Sequence, residues 1–285
     1  CITRRKNAVY HSAVVGKPPQ EDKAMGESIT KIFAPLIKIM KLELADLWAF
    51  YEAGFHNLLV AGVRQRYTKE AVKTALGLLG EGQLSLSKCV IVVDPDVNAR
   101  HFPSVLAALR KNFDPQDDFI LLPGTSQDTL DFTGPKINRG SKIILDATCG
   151  NTRAKSEPEK TIILNLTMEH RVWENTLLAV KTEKDSRAVL TELLKKPELQ
   201  QFKIIACVSP DVDLQNDISL IWGIFTRFDC EQDIIFGQTE QRGARLVCKG
   251  PMGIDAAWKS RYPDPVEMPT EIRQKVESRW TEYFP

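Results

Sequence analysis

Cys89-Val90-Ile91-Val92-Val93-Asp94-Pro95-Asp96-Val97 decides how this chain is read. Five apolar residues in a row, with no polar alternation, suit a strand buried on both faces, as in a parallel sheet. The Asp-Pro-Asp that follows stops it. Pro103 fits the first turn of a helix whose apolar side carries Val105, Leu106 and Leu109. Upstream, residues 55–63 (FHNLLVAGV) predict a strand. Thr68 is expected to cap a helix bearing Ala71, Val72, Ala75, Leu76 and Leu79. Downstream, residues 119–122 (FILL) predict a third strand. Strand–helix–strand–helix–strand order predicts an α/β unit, mostly parallel, with helices on the sheet faces.

The same grammar returns. Strands are expected at 176–180, 204–208 and 233–236, and helices at 186–194 and 218–225. Ser209-Pro210-Asp211-Val212 matches Asp94-Pro95-Asp96-Val97 at an offset of 115, from Asp96 to Asp211. At that offset Phe113-Asp114 meets Phe228-Asp229, Asp118 meets Asp233, and Ile120 meets Ile235. After six residues are lost from the second copy, Asp146-Ala147 meets Asp255-Ala256. Agreement in strand, turn and helix reads as a tandem duplication with a polar linker at 149–160. Two such units are expected to pack as a pseudo-symmetric pair.

Bulk composition narrows the class. The 285 residues are 43% hydrophobic and 26% charged, with a net charge of +1, which excludes a disordered chain or a coiled-coil rod. No overall basic excess points to nucleic acid, so no nucleic-acid partner is expected. The six cysteines show no CxxC pair, and Cys89 and Cys207 lie in apolar runs. Reduced thiols and a cytoplasmic location follow as the expectation. No run of 18 apolar residues predicts a membrane span.

Residues 8–15 predict a strand, which Gly16-Lys17-Pro18-Pro19 stops. Gln20-Glu21-Asp22 then opens a helix, since carboxylates in a first turn suit the positive end of its dipole. Ile29, Ile32, Phe33, Leu36, Ile37 and Met40 follow at helical spacing around a kinking Pro35. The opening Cys1-Ile2-Thr3-Arg4-Arg5-Lys6 reads as the interior of a longer protein.

Several motifs, in order, carry a family resemblance. They are Val9-Tyr10-His11-Ser12, Val15-Gly16-Lys17-Pro18-Pro19-Gln20-Glu21-Asp22, Ile91-Val92-Val93-Asp94-Pro95-Asp96-Val97-Asn98-Ala99-Arg100, Asp128-Thr129-Leu130-Asp131-Phe132 and Gly140-Ser141-Lys142-Ile143-Ile144-Leu145-Asp146-Ala147-Thr148. Residues 1–150 resemble the C-terminal part of the UbiD-type decarboxylases, which include the 4-hydroxy-3-polyprenylbenzoate decarboxylase of ubiquinone or menaquinone synthesis. The second unit shows the pattern through Gly250-Pro251-Met252-Gly253-Ile254-Asp255-Ala256.

The resemblance implies reversible decarboxylation of an aromatic or α,β-unsaturated acid with prenylated FMN, a divalent metal such as manganese, and potassium. It places the cofactor in a split β-barrel upstream. Residues 1–28 would then be the last barrel strand and its loop, 29–150 the first α/β unit, and 151–285 the second unit with a C-terminal arm. No Glu-Gly-Pro metal motif occurs, so this chain alone is expected to bind no cofactor or metal and to be inactive. Its implied partners are the flavin-binding domain, the aromatic acid and further copies in a homo-oligomer. The alternative is a non-catalytic assembly module acting with a separate flavin-binding subunit.

The resemblance makes Glu21 the candidate proton donor to the carbon that loses carbon dioxide; its plain reading is a helix N-terminal carboxylate. It makes Leu58, Leu59, Leu130 and Phe132 candidate substrate-pocket wall, against ordinary core. Asp94, Asp96 and Asn98 alternate like metal ligands, but the loop lacks the Gly and terminal Glu of a calcium site. His11, His56, His101 and His170 have no zinc spacing; His11 and His56 read as satisfied strand histidines. Residues 77–82 (GLLGEG) follow a helix rather than a strand, so they fail as a phosphate loop, and no nucleotide-binding site is predicted. The second unit has Ser209 for Asp94 and lacks the Asp-Thr-Leu-Asp-Phe loop, with Gln238-Thr239-Glu240-Gln241 near its place; it reads as structural. Trp258, Trp280, Tyr283 and Phe284 form an arm that reaches a neighbour or folds back.

Overall fold

The computed structural model describes residues 20–150, 164, 166–183, 185–263 and 269–283. The predicted strand at 8–15 and most of the linker at 149–160 lie outside these residues, as does Phe284.

The chain is α/β, built from two units of identical strand order. The first contains α1 (Gln20–Met40), β1 (Leu44–Ala49), β2 (Leu58–Val63), α2 (Glu70–Leu78), β3 (Cys89–Val93), α3 (Phe102–Asn112), α4 (Pro115–Asp118), β4 (Phe119–Ser126) and β5 (Arg139–Ala147). The second contains β6 (His170–Trp173), β7 (Leu177–Lys181), α5 (Ser186–Leu193), β8 (Ile204–Val208), α6 (Asp217–Phe225), β9 (Ile234–Arg242) and β10 (Arg245–Ala256), followed by α7 (Thr270–Ser278) and α8 (Trp280–Tyr283). Sheet order is β1-β2-β3-β5-β4 in one and β6-β7-β8-β10-β9 in the other. In each, three central strands are parallel and both edges antiparallel. Cys89 sits between Leu58 and Ile143, as Ile204 sits between Leu177 and Met252.

The expected third strands need correction. Residues 119–122 and 234–236 fall in β4 and β9, antiparallel edges paired to β5 and β10, and Asp233 precedes the strand. The third parallel strands are β5 and β10, whose C-terminal halves are buried. Their polar neighbours Lys142, Asp146 and Asp255 broke the apolar signature of a buried strand, although all three are buried. The helix at 70–78 is not capped by Thr68. Lys69 holds the N-cap position at φ 64°, without a side-chain cap, and the Glu70 carboxylate accepts the Arg66 amide at 2.7 Å instead. The 28/29 position lies inside α1, which continues through Pro35.

Strand alternation sorts the core. Leu58, Val60, Cys89, Ile91 and Leu145 face one way and meet Leu177, Ile204, Ala206 and Ile254 of the second sheet, with residues of α3 and α6 between them. Leu59, Ala61, Val90, Val92 and Ile144 face the other way, under α1 and α2. Leu178, Ile205 and Cys207 do the same beneath α5. One continuous core therefore joins the units. At its centre the Phe102 ring meets Phe50, Trp173 and Phe225 at 5.6, 5.2 and 6.0 Å, each edge-on, a geometry that adds about 0.5–1.5 kcal/mol per pair beyond burial.

The contact between units is reciprocal. Lys88 Nζ donates to Phe228 O at 3.0 Å, and Lys203 Nζ donates to Phe113 O at 2.8 Å. Lys88 and Lys203 are equivalent positions at the offset of 115, and so are Phe113 and Phe228. Each unit thus offers the same donor to the same acceptor on the other, the signature of an isologous interface.

A buried carboxylate ties β1 to α2. Glu43, whose side chain is 3% exposed, accepts Lys73 Nζ at 2.6 Å and Thr74 Oγ1 at 2.9 Å. Burial alone would raise its pKa, but these hydrogen bonds hold it at about 2. A lowered carboxylate stabilises the fold above its unfolded value, and that stability is lost as pH falls from about 4.5 towards 2. Water around the half-exposed Lys73 and Arg66 reduces the effect to about 1–2 kcal/mol. Urea midpoints measured between pH 6 and 3 are expected to converge for wild type and Glu43→Gln as pH falls; a constant gap would count against this account.

Candidate functional site

The loop at 127–138, between β4 and β5, carries the Asp-Thr-Leu-Asp-Phe motif and is held from several sides. Asp128 pairs with His56 Nδ1 and accepts the Leu130 amide at 3.0 Å. Burial would raise the Asp128 carboxyl, but the His56 hydrogen bond and that amide hold it below the usual carboxylate range. Asp131 lies 2.9 Å from Lys88 Nζ, with side chains only 4% and 1% exposed. Asp131 also accepts the Thr133 amide and hydroxyl at 2.9 and 2.6 Å. Burial pushes its carboxyl up, and Lys88 with Thr133 brings it below the ordinary value. Asn138 Nδ2 donates to Thr129 Oγ1 at 2.7 Å and closes the loop.

His56, Lys88 and Lys142 stand at the N-terminal edge of the parallel strands. Their positions follow from register: His56 lies two residues before β2, Lys88 one residue before β3, and Lys142 pairs with Leu122. Lys142 is buried and donates to Ser87 O at 2.9 Å. Burial pushes its ammonium down to about 8, against the pull of nearby Asp131 and Asp128. His56 is only half satisfied: its Nε2 is buried and has no hydrogen-bond partner among the described residues. It precedes β2 rather than lying in a strand, and follows Phe55 at φ 38°, a strained value for a bulky residue.

The candidate pocket residues do not converge. Leu58 and Leu59 are fully buried on opposite faces of the first sheet, because successive strand residues alternate. Leu130 is 71% exposed at the tip of the loop. Phe132 packs its ring against Tyr262 at 4.9 Å and Trp258 at 5.6 Å. Glu21 lies in the first turn of α1.

The opposite, C-terminal edge is the usual ligand side of an open α/β sheet, and here it is neutralised internally in both units. Lys69 Nζ bridges Asp118 and Asp146 at 2.6 and 3.0 Å. Lys259 Nζ lies 3.3 and 3.8 Å from their counterparts Asp233 and Asp255. The lysines come from different elements, yet the aspartate pairs are the same. Asp94 Oδ2 accepts the Cys149 amide at 2.8 Å, and Ser209 Oγ accepts the Trp258 amide at 2.6 Å. Ser209 therefore keeps the backbone-holding task of Asp94. No group of three or more His, Cys, Asp or Glu among the described residues has metal-binding geometry. No described helix is long and apolar enough to cross a membrane.

Sequence reading missed the lysines that join the two units. Lys88 and Lys203 each stand directly before an apolar five-residue strand at the repeat offset. That coincidence was the available signal.

The profile of the 3-octaprenyl-4-hydroxybenzoate carboxy-lyase C-terminal domain matches residues 23–147 and 153–256. A Chlamydia pneumoniae protein, named as one of the subunits of a 4-hydroxybenzoate decarboxylase, is 33% identical over 285 residues, covering 100% of this chain and 49% of that protein. An uncharacterized protein of Archaeoglobus fulgidus is 40% identical over 147 residues, 52% of this chain and 31% of that protein. Among solved structures, vanillic acid decarboxylase of Sedimentibacter hydroxybenzoicus in its open form aligns at a TM-score of 0.44 and 23% identity, over 52% of this chain and 31% of that one. The chain spans about half the length of the curated full-chain relatives it matches. With the family profile covering most of the residues that build both sheets, the chain belongs to the UbiD family of carboxy-lyases, in the region of its C-terminal domain.

Proposed function

We propose that this chain is the C-terminal part of a reversible carboxy-lyase acting on an aromatic or α,β-unsaturated acid. The observation that carries the proposal is the match, along the whole of this chain, to a relative named for 4-hydroxybenzoate decarboxylation and twice as long. The remaining half would bind prenylated FMN with its metal, and the acid would lie between the two parts. When bound there, the flavin stabilises the negative charge left by departing carbon dioxide. Among the described residues no group of three His, Cys, Asp or Glu could ligate that metal, so its ligands would come from the remaining half.

This chain's contribution is a proton and a wall. Glu21, in the first turn of α1, would donate the proton that replaces carbon dioxide, and Leu130 would present an apolar surface to the acid. The other candidate wall residues lie apart from it, Leu58 and Leu59 buried on opposite faces of the first sheet and Phe132 against Trp258 and Tyr262. The two like units support the further reading of a tandem duplication, with the second unit giving structural support.

A second reading has this chain working beside a separate flavin-binding partner. The relative's name, which makes it one of several subunits, favours this reading; the double length of that relative favours a single longer chain. Carbon dioxide release from a panel of hydroxybenzoates, measured with the natural gene product and with residues 1–285 alone, tests the proposal. Turnover only in the former is expected, and the intact mass of that product decides between one chain and two. Absence of turnover by a flavin-loaded natural product would sink the decarboxylase reading.

A further inference from the structure

We propose that residues 258–262 of the second unit act as a clamp that fixes the 127–138 loop of the first and so sets the position of Leu130. The inference rests on the reading of Leu130 as substrate-facing and adds to it the element that positions this residue.

The two units have diverged in a complementary way. The first keeps a twelve-residue loop between β4 and β5, whereas β9 and β10 are joined by Gly243 and Ala244 alone. After β10 the second unit has Trp258, Lys259, Arg261 and Tyr262, where the first has Cys149 and Gly150 at the start of the corresponding segment. One unit keeps the loop, and the other supplies what sits on it.

The contacts are specific. Phe132 is edge-on to Tyr262 and tilted against Trp258, and Trp258 and Tyr262 meet at 5.6 Å and 89°. Arg261 Nη2 donates to Thr133 O at 3.1 Å, and its Nη1 donates to Gln232 Oε1 at 2.7 Å, so one guanidinium spans both units. The clamp is itself anchored. Tyr262 Oη donates to Arg227 O at 3.1 Å, and the Arg227 guanidinium lies over the Trp258 ring at 5.2 Å while pairing twice with Asp211 at 2.7 Å.

The His56–Asp128 hydrogen bond and the Lys88–Asp131 ion pair fix the base of the loop, and the clamp fixes the side beyond Leu130. Leu130 lies between these supports, exposed yet held.

Amide hydrogen exchange on the whole chain tests this without turnover, so its result is independent of the decarboxylase reading. In Trp258→Ala, peptides covering 127–138 are expected to exchange at least about tenfold faster while β3 and β8 keep their protection. Phe132→Ala should do the same from the loop side, and Trp258→Phe should restore protection. Arg261→Ala, at a half-exposed side chain, should give a smaller rise. Loop exchange unchanged in the folded variants would overturn the clamp, as would an equal rise in loop and sheet, which would mean ordinary packing. In the complete enzyme, Trp258→Ala should raise KM for the acid about tenfold with kcat changed less than about threefold, and Trp258→Phe should reverse it. A fall in kcat at constant KM would overturn the link to Leu130.

Discussion

Glu21→Gln in the complete protein is expected to slow decarboxylation by about 10²–10⁴-fold, the usual contribution of a positioned general acid. Gln has nearly the same shape as Glu but no proton to give at neutral pH. Binding of the acid should change little, so kcat falls and KM does not. Folding should be unaffected, because a first-turn carboxylate is worth only about 0.3–1 kcal/mol. The helix position also sets a requirement. The positive end of α1 favours the ionised carboxylate, whereas a proton donor must hold its proton. The upstream part would therefore have to cover Glu21 with apolar surface, and the pH profile of kcat should show an acid titrating above the ordinary carboxylate range. Product formed in deuterated water should carry deuterium at the carbon that lost carbon dioxide, and Glu21→Gln should slow its appearance equally. A rate within about threefold of wild type would remove Glu21 from the role and turn attention to the adjacent Asp22.

The parts of the fold legible in sequence are those whose chemistry is uniform. Cys89–Val93 and Ile204–Val208 are buried on both faces, so nothing polar interrupts them, and both are legible to the residue. The repeat is legible because turns and buried aspartates recur in the same order, at an offset of 115 that falls to 109 after the shortened loop. The edge strands β1 and β6 are not. They are short and half exposed, with Asp46, Arg171 and other polar residues mixed in, and their pairing is set by tertiary context. The third parallel strands escape the sequence for a related reason. Lys142, Asp146 and Asp255 look like surface residues in sequence, and only their partners on other elements make their burial tolerable.

The site is less legible still, since its anchoring pairs are long-range. His56 and Asp128 are 72 residues apart, and Lys88 meets a carbonyl 140 residues away. The motif around Phe132 suggests pocket wall, yet its ring is seated on Trp258 and Tyr262, beside what the sequence presents as a terminal arm. Trp258 packs across the unit boundary onto Phe132, while Trp280 is exposed.

Lys88→Met should be among the most destabilising single changes in the described region, at about 3–5 kcal/mol. Methionine fills a similar volume, so packing is largely kept and the charge is what is lost. The Lys88 ammonium is 1% exposed and serves Asp131 at 2.9 Å and Phe228 O at 3.0 Å, and lies 4.9 Å over the Phe228 ring. Without it the Asp131 carboxylate remains buried with only Thr133 to bond, and the Phe228 carbonyl loses its donor. Removing one partner of a buried ion pair costs far more than the pair contributes, because the survivor cannot return to water. Lys88→Met combined with Asp131→Asn should therefore recover much of the loss. The pH dependence has a defined sign. In the wild type the lowered Asp131 carboxyl contributes stability that is lost on acidification. In Lys88→Met the buried carboxyl binds a proton more readily folded than unfolded, so the gap between variant and wild type should narrow as pH falls from 7 to 4. Lys203→Met is the internal comparison. It removes the equivalent bond to Phe113 O from a half-buried position, and about 1 kcal/mol is expected. Urea denaturation of the three variants and the wild type at pH 7, repeated down to pH 4 for Lys88→Met and wild type, measures all of this. Equal losses for the two lysines would mean that the reciprocal bonds, and not the charge enclosed beneath the loop, dominate the interface. A loss under about 1 kcal/mol for Lys88→Met would mean that Asp131 finds water or another donor, and that the loop is held by its aromatic seat alone.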